Sequence, residues 1–282
     1  MRTHRGTTDT TLNGYHQTLT ALLHTLGEQS EHFEAHALRA FVLEYVGSRG
    51  IARAKTVITA VRMFLRFLIA TGSCTPGLDY ALPTIAQWRL AAVPQYLPAE
   101  TVEHVLASCD LTTPIGVRDR AVLVLLARLG LHAGAVAALQ WHDIDWLDGT
   151  LCVTGKTRRT TRLPLPQEVG EALRAYAEHQ RPRMPSAFIF LTARAPITPL
   201  SSKAVSKIAA QALQRAHVES PRYGAHVFRH SAATHMLRQG ASLPSMGAVL
   251  RHASVETTAH YAKVDVTLLH TVARPWPEVT SC

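Results

Sequence analysis

The hydrophobic positions of this chain recur mostly at helical intervals. From Tyr15 onward, Leu19, Leu22, Leu23 and Leu26 share one side of a helix that Gly27 closes. A second helix is predicted over 33–47, with Leu38, Phe41, Val42 and Tyr45 inward. A third is predicted over 52–71, with Val57, Ile58, Val61, Phe64, Leu65 and Leu68 inward and Gly72 as its stop. Residues 1–13 are polar and Thr-rich and are expected to fray. Residues 73–98 contain Pro76, Pro83, Pro94 and Pro98 with weak periodicity, which predicts a linker and a domain boundary near 93.

Helical pattern resumes after Pro98, with Val102, Val105 and Leu106 on one side. The segment AVLVLLARLGL, residues 121–131, is apolar almost all round and predicts a buried helix ending at Gly130. A short helix and an acidic turn, Asp143-Ile144-Asp145, follow. Residues 150–154 and 161–165 alternate as strands, and Gly155-Lys156-Thr157-Arg158-Arg159 joins them as a basic hairpin, the one sheet that the pattern supports. Next come a helix over 166–180, an extended piece at 188–191, a loop marked by Pro196 and Pro199, and a helix from Ser201 or Ser202 to about 216. In the stretch 226–261, Ser242 and Ser254 serve as N-caps that divide it into three helices. The fold class is therefore mainly α. It comprises an N-terminal helical domain with its linker, residues 1–93, and a mostly helical C-terminal domain, residues 94–282, with a small antiparallel β-hairpin.

Composition narrows the function. The chain has 282 residues, of which 47% are hydrophobic and 17% charged, so it can bury two cores and is not compositionally disordered. The net charge is +9, and neutralising phosphates releases counterions, so a polyanionic partner is favoured. The cysteines at 74, 109, 152 and 282 have no zinc spacing, which predicts free thiols in a reducing cytoplasm and no metal. No run of 18 apolar residues and no signal-peptide core is present, so no membrane partner is expected.

Basic residues cluster in several places. Lys55, Thr59, Arg62 and Arg66 form a stripe on the third helix, which reads either as a solvated face or as a DNA-facing one. Lys203 and Lys207 are four apart on a later helix and can meet phosphate. Arg158, Arg159 and Arg162 give the hairpin a positive edge.

The candidate chemistry lies in HVFRHSAATHMLRQGASLPSMGAVLRHASVETTAHY, residues 226–261. His226 and Arg229 share a helix face, and His252 and Tyr261 follow, at successive spacings of 3, 23 and 9. A lone H-x-x-R is ordinarily a surface feature and a lone Tyr ordinarily packing; the ordered set is not. It resembles the tyrosine recombinase (phage integrase) family, which carries an H-x-x-R, then a [G/R]-H, then its nucleophilic tyrosine at about these intervals. The resemblance runs from roughly 98 to 275 and more loosely over the N-terminal part.

The resemblance implies a catalytic C-terminal domain and an N-terminal helical bundle that clamps double-stranded DNA, four protomers acting together. It implies no cofactor. Tyr261 would attack a phosphodiester and form a 3′-phosphotyrosyl bond, Arg229, His226 and His252 would hold the phosphate, and Lys156 would protonate the leaving 5′-hydroxyl. Lys156 also reads as a DNA contact that does no chemistry, and Trp276 as an anchor on a neighbouring subunit or a residue packed on its own domain.

The chain departs from the pattern at one place. The family's G-L-R-x-[S/G]-E is Gly130-Leu131-His132-Ala133-Gly134-Ala135 here, with His132 in the arginine position and alanine in the glutamate's. Two expectations follow. One is a recombinase or integrase of a mobile element, slowed by the loss of that arginine. The other is a relative that binds sites without cutting.

Overall fold

A computed structural model describes residues 9–47, 50–85, 93–155, 160–220, 222–252 and 254–264. The chain divides into two compact units, residues 1–89 and 90–282.

The first unit is a helical bundle. Helix α1 (Asp9–Leu26) begins about six residues before its apolar stripe, so the Thr-rich start is helical from Asp9. Helices α2 (Ala35–Val46) and α3 (Ile51–Ala70) complete it. Leu22, Leu38, Phe41, Val57, Val61 and Leu65 fill the core, as their spacing requires. The segment after α3 corrects the linker expectation. Cys74 and Leu82 are buried in the same core, and a 3₁₀ turn, Leu78–Tyr80, packs on α3. Arg62 donates to the carbonyls of Asp79, Leu82 and Pro83, and Arg66 pairs with the Asp79 carboxylate at 2.9 Å. The stripe seen on α3 thus gathers its own downstream loop. Up to Pro83 the segment is thus a fitted turn on the first core, and residues 86–92 lie outside the described residues.

The second unit is built around one buried helix. Helices α4 (Ala99–Ala107) and α5 (Pro114–Leu129) start it. Thr113 caps α5 by accepting from the Gly116 N–H, with Pro114 at the first helical position. Val122 to Leu126 are all fully buried, each worth about 1.5–3 kcal/mol of burial. Helix α6 (Ala133–Ala138) follows after a left-handed Gly130.

Strands β1 (Ile144–Asp145), β2 (Thr150–Thr154) and β3 (Thr160–Pro164) form an antiparallel sheet in the order β1-β2-β3. The hairpin pairs Thr150 with Pro164 and Thr154 with Thr160, and Leu151, Val153 and Leu163 point into the core. The acidic turn supplies the extra strand β1. Helix α7 (Gln167–Ala175) continues as a π-helical turn to Gln180, and the extended piece at 188–191 makes only two isolated bridges.

Helix α8 (Ser202–Arg215) is capped by Ser201, and α9 (Ala225–Arg238), α10 (Leu243–Leu250) and α11 (Val255–Ala259) close the described chain, with a 3₁₀ turn, His260–Val264. Ser242 caps α10 through the Ser245 N–H. Ser254 occupies the cap position of α11, but its hydroxyl meets that of Thr257. None of the helices among the described residues is long and apolar enough to cross a membrane.

Candidate active site

Five segments converge at the N-terminal end of α9. Gly130 ends α5 in a left-handed conformation (φ 56°), where a Cβ would come within 2.7 Å of Leu250 Cδ2. The glycine therefore lets the chain pass against α10 and deliver His132 as the N-cap residue of α6. Arg229, one turn into α9, is 3% exposed. Its Nη1 donates to the Gly130 carbonyl and its Nη2 to the Leu250 carbonyl, both at 2.5 Å. One guanidinium thus ties the His132 segment to the His252 segment. Two of its five N–H groups are spent on these bonds, leaving three for an incoming anion. No carboxylate pairs with it among the described residues, and burial brings it down to about 10. It stays charged at neutral pH, with a penalty on the charged form of roughly 3 kcal/mol that an arriving phosphate would relieve.

Rings line up beside it. His132 meets His226 edge-on at 5.9 Å between centroids, and His226 stacks on His230 at 5.8 Å. His230 lies 5.6 Å from the Tyr261 ring, and His252 is parallel to Tyr261 at 6.0 Å. His252 is oriented by Thr258, whose hydroxyl lies 2.8 Å from Nδ1. Burial, followed by Arg229 and His230, holds His252 down at about 4, so it is neutral at pH 7.

Tyr261 is 3% exposed in the 3₁₀ turn, packed with Ala233, Leu237, Met246, Leu250 and Val264. Its hydroxyl lies 2.9 Å from His230 Nδ1. Two opposed effects act on this phenol. Burial raises it, and Arg229 offsets that. A phosphate-free site does not by itself make a phenolate.

His226, Arg229, His252, Tyr261 and His132 are thus brought together. Lys156, with Arg158 and Arg159, lies outside the described residues, as does Trp276. Arg162 is engaged by Asp145 at 2.7 Å, by Asp148 at 3.1 Å and by Thr150, so its charge is spent within the sheet. Lys203 and Lys207 are exposed on α8, whose Ser202 and Ser206 neighbour Gly134 and Gly224 beside the His132–His226 end of the site. Arg128, one turn before His132, is clamped by Glu103 and Glu168 and does not stand in for a lost arginine. Among the described residues no cluster of His, Cys, Asp or Glu is fit for a metal.

Sequence reasoning missed His230, Thr258 and Arg251. His230 is four residues from His226, a spacing that could have revealed it. Arg251 sits at φ 56°, and its Nε and Nη1 are buried without hydrogen-bond partners among the described residues. Replacing it with glycine should relieve both the left-handed strain, about 1–2 kcal/mol, and the unsatisfied donors. Arg251→Gly is expected to raise the urea midpoint by an equivalent of about 1–3 kcal/mol. A lower midpoint would mean that the arginine stem contributes more packing than this cost.

Comparison with known proteins agrees with this geometry. Residues 95–267 match the phage integrase family. The Sinorhizobium fredii protein y4rA, named as an integrase/recombinase, is 44% identical over 238 residues, covering 84% of this chain and 58% of its own length. Its relative y4rF from the same organism is 35% identical over 89% of this chain and 60% of its own length, so the chain spans little more than half of these relatives. The tyrosine recombinase XerD of Listeria innocua is 30% identical over 77% of this chain and 72% of its own length. Among solved structures, a lambda integrase dimer bound to a core site matches with TM-score 0.73 at 21% identity, covering 98% of this chain and 94% of the other. The XerH recombinase in a post-cleavage DNA complex matches with TM-score 0.75 at 19% identity, covering 92% and 78%. With its motifs in order, its rings gathered on one tyrosine and a family match over most of its second unit, the chain belongs to the phage integrase family of tyrosine recombinases.

Proposed function

We propose that this chain breaks and rejoins double-stranded DNA at specific sites through a 3′-phosphotyrosyl linkage to Tyr261, as part of a mobile element's recombination machinery. The observation that carries the reading is the convergence of Tyr261, Arg229 with no carboxylate paired to it among the described residues, and four histidine rings from separated segments. In this reading Arg229 and His226 hold the scissile phosphate and His252 donates to it. Lys156, on the hairpin between β2 and β3, protonates the 5′-oxygen. Residues 1–93, Lys55 of the α3 stripe among them, and the exposed Lys203 and Lys207 grip the duplex, while Arg62 and Arg66 are held by their own loop. Strand exchange between two duplexes calls for four protomers, and a lambda integrase tetramer on a Holliday junction is among the solved structures of this fold. The work is done in the cytoplasm without a cofactor.

His132 sets the rate. Removing one transition-state donor costs about 10²–10³. The His132 ring touches His226, so a protonated imidazole there can return part of the loss. The rate of covalent adduct formation on nicked DNA should therefore rise as pH falls from 8 toward 6. His132→Arg, alone or with Ala135→Glu, should raise it about tenfold or more and flatten that rise. No gain from either variant would show that the missing arginine is not the limitation.

A second reading is supported by the same substitution: a relative that recognises sites without cutting. It predicts shifted DNA but no SDS-resistant adduct at any pH.

A further inference from the structure

The hydroxyl of Tyr261 has one side-chain partner among the described residues, and it is not part of the family pattern read from the sequence. It is His230 Nδ1, at 2.9 Å. We propose that His230 is the proton acceptor for Tyr261: its Nδ1 lone pair takes the phenolic proton as Oη bonds to phosphorus. This rests on the reading of Tyr261 as nucleophile.

The step balances. The Oη–P bond forms, the P–O5′ bond breaks, the phenolic proton moves to Nδ1, and the 5′-oxygen takes a proton from Lys156. In rejoining, an attacking 5′-hydroxyl reverses each transfer and the imidazolium returns its proton to the phenol.

Three observations support the assignment. His226, Arg229 and His230 lie on the same helix, and His230 Nδ1 is within hydrogen-bond distance of Oη, at 2.9 Å. The phenol is pushed up by burial, so it needs a base at the moment of attack. His230 is kept neutral, and thus able to accept, at about 4, first by burial and then by positive neighbours.

Among the described residues those neighbours lie on three segments: His226 and Arg229 on α9, Arg222 on the loop before it, and His260 on the 3₁₀ turn, where the Tyr261 phenol also faces the ring. The gap between a base at about 4 and a raised phenol is wide. The scissile phosphate narrows it by favouring the imidazolium, so transfer coincides with attack and does not precede it.

The sign of the pH effect follows. His230 accepts only when unprotonated, so activity is lost as pH falls through its value in the DNA complex. That value lies above the unliganded one of about 4.

The test uses the full chain. His230→Gln retains a hydrogen-bonding group beside Oη but has no proton affinity. On nicked DNA its adduct rate should fall about 10²-fold, within the range of general-base effects, while the DNA shift is unchanged. With a fluorinated tyrosine of lower phenol pKa at position 261, the His230→Gln defect should shrink to a few fold. An unchanged rate in His230→Gln, or the same loss with and without fluorination, would overturn the proposal.

Imidazole ¹⁵N spectra of the unliganded protein give a reading that needs no activity. His230 should be the Nε2–H tautomer, with an Nδ1 signal moved by the Tyr261 hydroxyl and restored in Tyr261→Phe. An Nδ1–H tautomer would overturn the assignment even in a protein that never cuts. An absent adduct with the expected tautomer would overturn the nucleophile reading alone.

Discussion

Tyr261→Phe should abolish the SDS-resistant adduct with nicked DNA and leave the DNA shift in place. The phenyl ring keeps the packing with Met246, Leu250 and Val264, and the stack on His252. Only the hydroxyl and its contact with His230 are lost. A net hydrogen bond contributes about 0.5–1.5 kcal/mol, so the fold should survive with a small drop in midpoint. The rate effect has no such limit, because the reacting oxygen itself is gone. An adduct that persists in Tyr261→Phe would remove this tyrosine from the chemistry. The experiment is sharpened by burial: at 3% exposure, Tyr261 cannot be modified by chance from solvent, so an adduct at this residue reports a site engaged by DNA.

Arg229→Lys should be the second large loss, and it should be a double one. Lysine keeps a charge but not the fork that reaches the Gly130 and Leu250 carbonyls together. At least one buried carbonyl is left unmatched, at about 1–3 kcal/mol, and the two segments it joined loosen. The urea midpoint should fall by about that equivalent. Adduct formation should fall by about 10³ or more, since one donor set is lost and His132 and His252 are also displaced. A variant within tenfold of the parent rate would show that Arg229 is a structural tie alone. Full activity loss at unchanged midpoint would show the reverse.

The sequence disclosed the periodic parts and the ordered motif. The buried helix α5, the hairpin registers and the Ser201 and Ser242 caps follow from local patterns, and so they were legible. The His132 departure was legible because Gly130 and Leu131 before the change and Gly134 after it keep the family's motif. What was hidden depended on distant partners. Arg62 and Arg66 look like a solvated face until Asp79 and the carbonyls of 82–83 fold back onto them. Arg162 looks like a phosphate ligand until two aspartates from the β1–β2 turn are placed beside it. His230 looked like a neighbour of Arg229, and only the 3₁₀ turn, arriving from thirty-one residues later, gave it a role.

The tie made by Arg229 bears on how such a protein could age. Two backbone carbonyls require the side chain, and in the proposed function a phosphate requires it as well. A lineage that stopped cutting DNA but kept binding it would still be selected to keep this arginine, because folding would demand it. Ala135, in the glutamate's position, merely packs on the core. Drift would therefore spare the arginine of the H-x-x-R longest. Within a set of related copies, the surviving H-x-x-R counts as a record of shape, and the composition at 132 and 135 as the record of work.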